Sequence, residues 1–182
     1  MTRAELHELG KKGGADLITK EYNKRLGRRD AIRLVNIHGF SIGQVARIIE
    51  AHNPICVITD MTGRIKAPSA QGANDVAQLE QVWDSMRQLA AIYDFIHIGT
   101  AQISVEGMDM LFPPLTALQN SKTGIQTTLD LAIWGGAWLN PQTDDDAIIR
   151  GLSTPKNKLV KSGCRSLNKV EVRVDFERNI WS

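Results

Sequence analysis

Residues Pro54 to Asp60 read Pro-Ile-Cys-Val-Ile-Thr-Asp, an apolar run that ends on a carboxylate. A buried strand that delivers an Asp to its C-terminal end can hold the water shell of a nucleotide-bound Mg²⁺, the Walker B arrangement. The same pattern also fits an Asp that caps the turn after a strand. The usual companion of a Walker B carboxylate is a G-x-x-x-x-G-K-[ST] loop that cradles phosphates, and no such loop occurs in the 182 residues. Gly10-Lys11 is followed by Lys12 and has Glu5 where the first glycine belongs, while Ser121-Lys122-Thr123-Gly124 runs in the wrong order. Asp60 thus reads either as half of a nucleotide site without its other half or as a turn-capping Asp.

The flanking elements must place that carboxylate. Residues 4–26 are helix-like but interrupted at Gly10 and Gly13-Gly14, which predicts two short helices or one broken one. Ala31–Ile37 reads as a strand. Ser41 is a plausible N-cap for a helix whose Ile42, Val45, Ala46 and Ile49 share a face, and Asn53-Pro54 ends it. After a Gly/Pro/Ser-rich loop at 63–72, Asn74 is expected to cap a longer helix with Val76, Leu79, Val82, Trp83, Met86, Leu89, Ala90 and Tyr93 on its packed stripe. Phe95–Thr100 is the next strand, leading to Gln102. Strand, helix, strand, helix, strand with short links predicts a parallel sheet covered on both faces. Ligands bind at the edge where such strands end, so His38, Asp60 and Gln102 are expected to share a crevice. His97, inside an apolar strand, reads as a core or sheet-face histidine. Farther on, Leu129–Trp134 reads as a strand and Asn140–Asp146 as an acidic turn. Ile148–Thr154 and Val170–Phe176 read as strands of an antiparallel terminal pair flanking a basic loop.

A chain that is 42% hydrophobic and 23% charged fits one globular domain with a single core. The formal net charge of +2 permits a nucleic-acid partner without requiring one, and distribution says more. Seven basic residues fall between Arg150 and Arg173 against one acid, Glu171; a second group holds Lys24, Arg25, Arg28, Arg29 and Arg33. Each also fits a solvated face. Cys56 and Cys164 have no metal or disulfide spacing, which suits a reducing compartment. With no apolar run near the ~20 residues of a membrane span and no signal-peptide core, a cytoplasmic location is expected, with no membrane partner.

Four segments together resemble the RecA-like motor domain of hexameric replicative DNA helicases, the DnaB-like class and most closely its phage versions. They are Ile55–Asp60, Ile96–Gln102, Asn120–Gln126 leading into Leu129–Ile133, and Ser153-Thr154-Pro155-Lys156-Asn157-Lys158. The resemblance runs from about Arg29 to the C-terminus. It implies an α/β fold, a RecA-like parallel or mixed sheet flanked by helices and incomplete on the P-loop side, forming one partial domain over 1–182 with 1–28 as a helical lead-in. It further implies ATP (or dTTP) with Mg²⁺ in the complete motor, single-stranded DNA as substrate, and a ring of like subunits. Asp60 would be the metal-positioning carboxylate and Gln102 the polar sensor of the γ-phosphate; a strand-end amide is the plain alternative for Gln102.

By the same resemblance, Lys156 and Lys158 look like the basic pair inserted into a neighbouring subunit's nucleotide site, where a cation meets charge developing on the phosphoryl group. The second position is usually Arg, whose planar fork suits bidentate phosphate contact, so Lys158 departs from the pattern and a DNA-phosphate or solvent role stays open. Two loops would face DNA, Met61–Asn74 with Arg64 and Lys66, and Ile103–Gln119. The second is apolar and acidic at Glu106, Met108, Asp109, Met110 and Phe112, so Lys122 is a further DNA-binding candidate, and the methionines could instead pack on another protein. The family's catalytic Glu is missing along with its P-loop. Two expectations follow: a motor half completed by a separate P-loop-bearing polypeptide, or a non-catalytic module that joins or regulates a helicase ring. An unrelated α/β protein with a structural Asp60 is a third. It would be supported if Asp60 and Gln102 failed to share a crevice.

Overall fold

A computed structural model describes residues 2–27, 31–67, 75–118 and 124–182. Its elements run α1 (Arg3–Lys11), α2 (Ala15–Leu26), α3 (Ile42–His52), β1 (Cys56–Thr59), α4 (Asp75–Tyr93) and β2 (Ile96–Gly99). Then come α5 (Gly124–Thr128), β3 (Leu131–Gly136), α6 (Asp144–Ile148), β4 (Ile149–Asn157), β5 (Lys169–Asp175) and β6 (Ile180–Trp181). The chain divides into two compact units, Met1–Asn36 with Val172–Ser182, and Ile37–Glu171.

In the smaller unit, Thr2 and Glu5 exchange hydrogen bonds as a capping box that starts α1, and the Gly13 turn separates it from α2 as the glycine spacing predicts. β5 and β6 form an antiparallel hairpin through Val174↔Trp181 and Asp175↔Ile180. The Asp175 carboxylate closes its turn by accepting from the backbone N–H groups of Glu177 and Arg178.

The larger unit is mixed α/β. Ser41 and Gln44 form the capping box of α3, and Asn53 ends the helix in the left-handed region before Pro54. Ile42, Val45 and Ile49 then pack against Val82 and Met86 of α4, with Ile65 and Phe95 closing the cluster. A second cluster joins Trp83 of α4 to Ile125 of α5 and to Ala132 and Trp134 of β3. Adjacent residues of α4 therefore serve both clusters. Val76, expected on the packed stripe, is exposed at the helix's first turn.

β1 and β2 pair in parallel, from Cys56↔Ile96 to Thr59↔Gly99. Here the structure corrects two sequence expectations. Residues 31–37 form no strand, and Leu34 is 93% exposed; a β-prone run without a pairing partner gains no ladder hydrogen bonds. The sheet is also bare on one face. Val57, Thr59, His97 and Gly99 face the helices, whereas Cys56, Ile58, Ile96 and Ile98 form an uncovered apolar surface, Ile58 and Ile96 being 68% and 67% exposed. Parallel sheets ordinarily bury both faces.

β3 and β4 pair antiparallel, with a bulge that sets Ile133 opposite Thr154 and Pro155, where a proline without an N–H can sit in a strand. In the second sheet, of order β3-β4-β5-β6, β4 neighbours β5, and the Thr154 N–H donates to the Asn168 carbonyl just before β5. The acidic segment predicted as a turn instead starts a short helix, because Thr143 and Asp146 make a capping box for α6.

Candidate functional site

Asp60 is placed by the ends of two strands. Because β1 and β2 pair with a constant offset of 40 residues, the residue after Thr59 lies beside the residue after Gly99, which brings Asp60 to Thr100. The Thr100 hydroxyl donates to Asp60 Oδ1 (2.8 Å) and accepts from the Met61 N–H (2.6 Å). The Thr100 N–H donates to the Thr59 carbonyl, and the Thr62 N–H donates to the Thr100 carbonyl. Met61 takes φ 58, so the chain turns sharply after the carboxylate.

Beneath this turn lies a buried polar chain. Thr59 Oγ1 is 2.7 Å from Thr62 Oγ1 and 2.9 Å from His97 Nε2, and the His97 ring stacks obliquely on Trp83 at 5.8 Å between centroids. Burial holds the His97 imidazole below its ordinary pKa. Gly99 is required here, since a Cβ would fall 2.5 Å from Thr62 Oγ1 and 2.6 Å from the Trp83 ring. The histidine is thus a sheet-face residue that supports the turn, as its apolar strand suggests.

On the other side of Thr100 an open crevice of about 440 Å³ is lined by Met61, Arg64, Asp75, Gln102, Trp83 and Ile125, among others. Gln102 lines this crevice and Asp60 does not: Asp60 adjoins it only through its bond to Thr100, so the expected crevice common to Asp60 and Gln102 is not formed by the described residues. His38 is not among the lining residues. Arg64 lines the crevice, but Lys66 does not: its backbone pairs with Phe40 and Ile42 at the start of α3. Lys122 lies outside the described residues.

Lys156 and Lys158 gather elsewhere, at the C-terminal turn of α5. The ammonium of Lys156 donates to the Gln126 carbonyl and that of Lys158 to the Thr127 carbonyl (3.3 Å). Arg87 of α4 donates to the Thr128 carbonyl. Arg87 and Lys158 also share one carboxylate oxygen, Asp130 Oδ1, at 3.3 and 3.6 Å. Burial lowers the Lys156 pKa first and the neighbouring Lys158 charge second, with Asp130 opposing and Arg87 adding to the depression. The pair thus folds back onto a helix end with C-terminal partial negative charge.

The loop expected to face DNA, Ile103–Gln119, is pinned to the sheet in its described part. Gly136 and Gly151, paired across β3 and β4, admit the Leu111 backbone so closely that a Cβ at either would fall 2.0–2.3 Å from its carbonyl. Trp134 donates to the Pro114 carbonyl, and Asp109 accepts from the Leu139 N–H. Sequence reading assigned no role to Thr100, Arg87 or Asp130. Extending the parallel register by one residue would have found Thr100; Arg87 has no such signal.

Chemically, one Asp at a strand end suits Mg²⁺ held jointly by phosphates and water. The described residues contain no group of three His, Cys, Asp or Glu side chains able to cage a metal by themselves. No described helix is long and apolar enough to cross a membrane.

No family model matches the chain, and no curated protein matches it. Among solved structures the fold is similar to that of a DnaB-like replicative helicase described with its interactions with primase, at TM-score 0.59 and 16% identity. That match covers 78% of this chain and 35% of the other, so the chain spans about a third of the helicase's length. The larger architecture, a parallel pair and an antiparallel sheet with flanking helices, is a helicase-like fold.

Proposed function

We propose that the chain is the C-terminal part of a RecA-like, ATP-driven replicative DNA helicase motor of phage type, working in a hexameric ring on single-stranded DNA. The observation that carries this reading is the parallel pair β1–β2, which brings Asp60 beside the Gln102 crevice at one end and leaves an apolar face bare along its length. A two-stranded parallel sheet with open edges is not self-sufficient. Polypeptide outside these 182 residues supplies the phosphate-binding loop, the catalytic Glu, strands that pair with the open edges and helices that cover that face.

In the completed site Asp60, steadied by Thr100, holds the Mg²⁺ of ATP (or dTTP), whose charge neutralises the phosphate oxygens. Gln102 senses the terminal phosphate, and Arg64, Lys66 and Lys122 contact DNA phosphates. Lys156 and Lys158 serve a neighbouring subunit's site. The test is DNA-stimulated ATPase on mixing the chain with P-loop-bearing helicase fragments: turnover expected in the mixture, lost in Asp60→Asn, and absent from either part alone. Robust turnover by the isolated chain, or none in any mixture, overturns the reading.

A further inference from the structure

We propose that Arg87, Lys156 and Lys158 form one phosphate-oxyanion site, with Arg87 as its guanidinium donor and Asp130 as the internal anion that occupies it until phosphate arrives. The inference rests on the reading of Lys156 and Lys158 as phosphate-directed cations and adds to it the group they lack.

Three cations from two elements, α4 and β4 with its following residue, converge on the last turn of α5. Each takes a different carbonyl, of Gln126, Thr127 and Thr128, so their heads are held in a row by consecutive backbone groups. Among the described residues one carboxylate, Asp130, answers them, within ion-pair distance of Arg87 and Lys158. Counted over the described residues, the cluster carries two more positive than negative side chains, and the mutual repulsion registers on Lys156, whose ammonium is disfavoured by burial and by both cationic neighbours.

Asp130 is a weak hold. Its contacts to Arg87 and Lys158 span 3.3 and 3.6 Å, and all three side chains are close to half exposed. Ion pairs of that kind contribute little and exchange readily. A phosphate brings more charge and three oxygens in the geometry that a guanidinium fork matches, which a lysine at position 158 cannot provide. Arg87 supplies that fork from a different element.

The test uses the whole chain, titrated by calorimetry with inorganic tripolyphosphate and, separately, with an oligothymidylate. Arg87→Ala should weaken binding by roughly tenfold or more, the worth of a lost charge-assisted contact. Arg87→Lys should recover only part, and Asp130→Asn should tighten binding several-fold by removing the competitor. Far-UV circular dichroism identifies any variant that fails to fold, and Asp130→Asn and Arg87→Lys then decide. Dependence on Arg87 with tripolyphosphate alone assigns the site to a nucleotide's phosphates; the same dependence with the oligonucleotide assigns it to a nucleic-acid backbone. Equal binding by wild type and Arg87→Lys, or no tightening in Asp130→Asn, overturns the proposal. The measurement needs no ring and no ATPase, so it can fail while the motor reading stands, and the reverse.

Discussion

The Thr100 hydroxyl accepts from the N–H just past Asp60 and donates to Asp60 itself, so one oxygen fixes both the turn and the carboxylate. Thr100→Val keeps the branched shape and removes both bonds; the exposed setting lets water take over part of the loss, giving a cost of about 1 kcal/mol in urea denaturation. Thr100→Ser should restore stability and, in the reconstituted motor, the ATPase that Thr100→Val lowers. A Val variant as active as wild type would remove Thr100 from the site. The histidine below it gives a separate signature. With the folded His97 pKa depressed, the unfolded chain binds a proton that the folded chain refuses, so stability is full above the unfolded value of about 6.5 and declines as pH falls below it. His97→Gln should flatten that acid limb of Tm against pH, and an unchanged limb would place the acid sensitivity in other groups.

Helix α4 joins the two clusters, with Val82 and Met86 in one and Trp83 in the other, and it also carries Arg87 to the end of α5. Met86 is fully buried, so Met86→Ala should cost about 2–5 kcal/mol and be read as a lower urea midpoint at unchanged slope. Helix α5 in turn stands between the two candidate sites, with Ile125 in the crevice wall and its last carbonyls holding the three cations. Much of this framework is legible in the sequence because helical periodicity and capping are local: Ser41, Asn53 and the Val82–Met86 stripe announce α3 and α4. Pairing is not local. The run 31–37 has strand composition and no strand, and Ile55–Thr59 reads as doubly buried although one face is bare, since neither text records which partners are present. The site divides in the same way. Asp60 and Gln102 are legible as strand-end residues, whereas the convergence of Arg87, Asp130 and Lys158 depends on how α4, α5 and β4 pack.

The larger unit carries exposed apolar side chains along its strands. Cys56, Ile58, Ile96 and Ile98 lie on one face of β1–β2, and Leu131 and Ile133 alternate outward on β3, an edge strand in the second sheet. Among the described residues, both strands of the parallel pair also have an unbonded edge in the sheet order β1-β2. Strand edges of this kind pair with other chains unless covered, so an added strand would gain main-chain hydrogen bonds and apolar burial together. Replacing the bare isoleucines separates this cover from the chain's own stability. Ile58→Thr and Ile98→Thr keep β-branched shape at exposed positions, so each should leave the unfolding free energy of the isolated chain, from urea denaturation, within about 0.5 kcal/mol of wild type. The same variants should weaken association with a P-loop-bearing fragment and the ATPase that depends on it. The two free cysteines report the cover directly: Cys56 sits on the bare face and Cys164 in the loop after β4. In the isolated chain a maleimide should modify both at comparable rates. In the assembled motor Cys56 should be protected by roughly tenfold or more, in line with local opening of a paired strand, while Cys164 keeps its rate as the internal reference. Equal modification of Cys56 in the free chain and in an active assembly would mean that the bare face is not where the motor is completed.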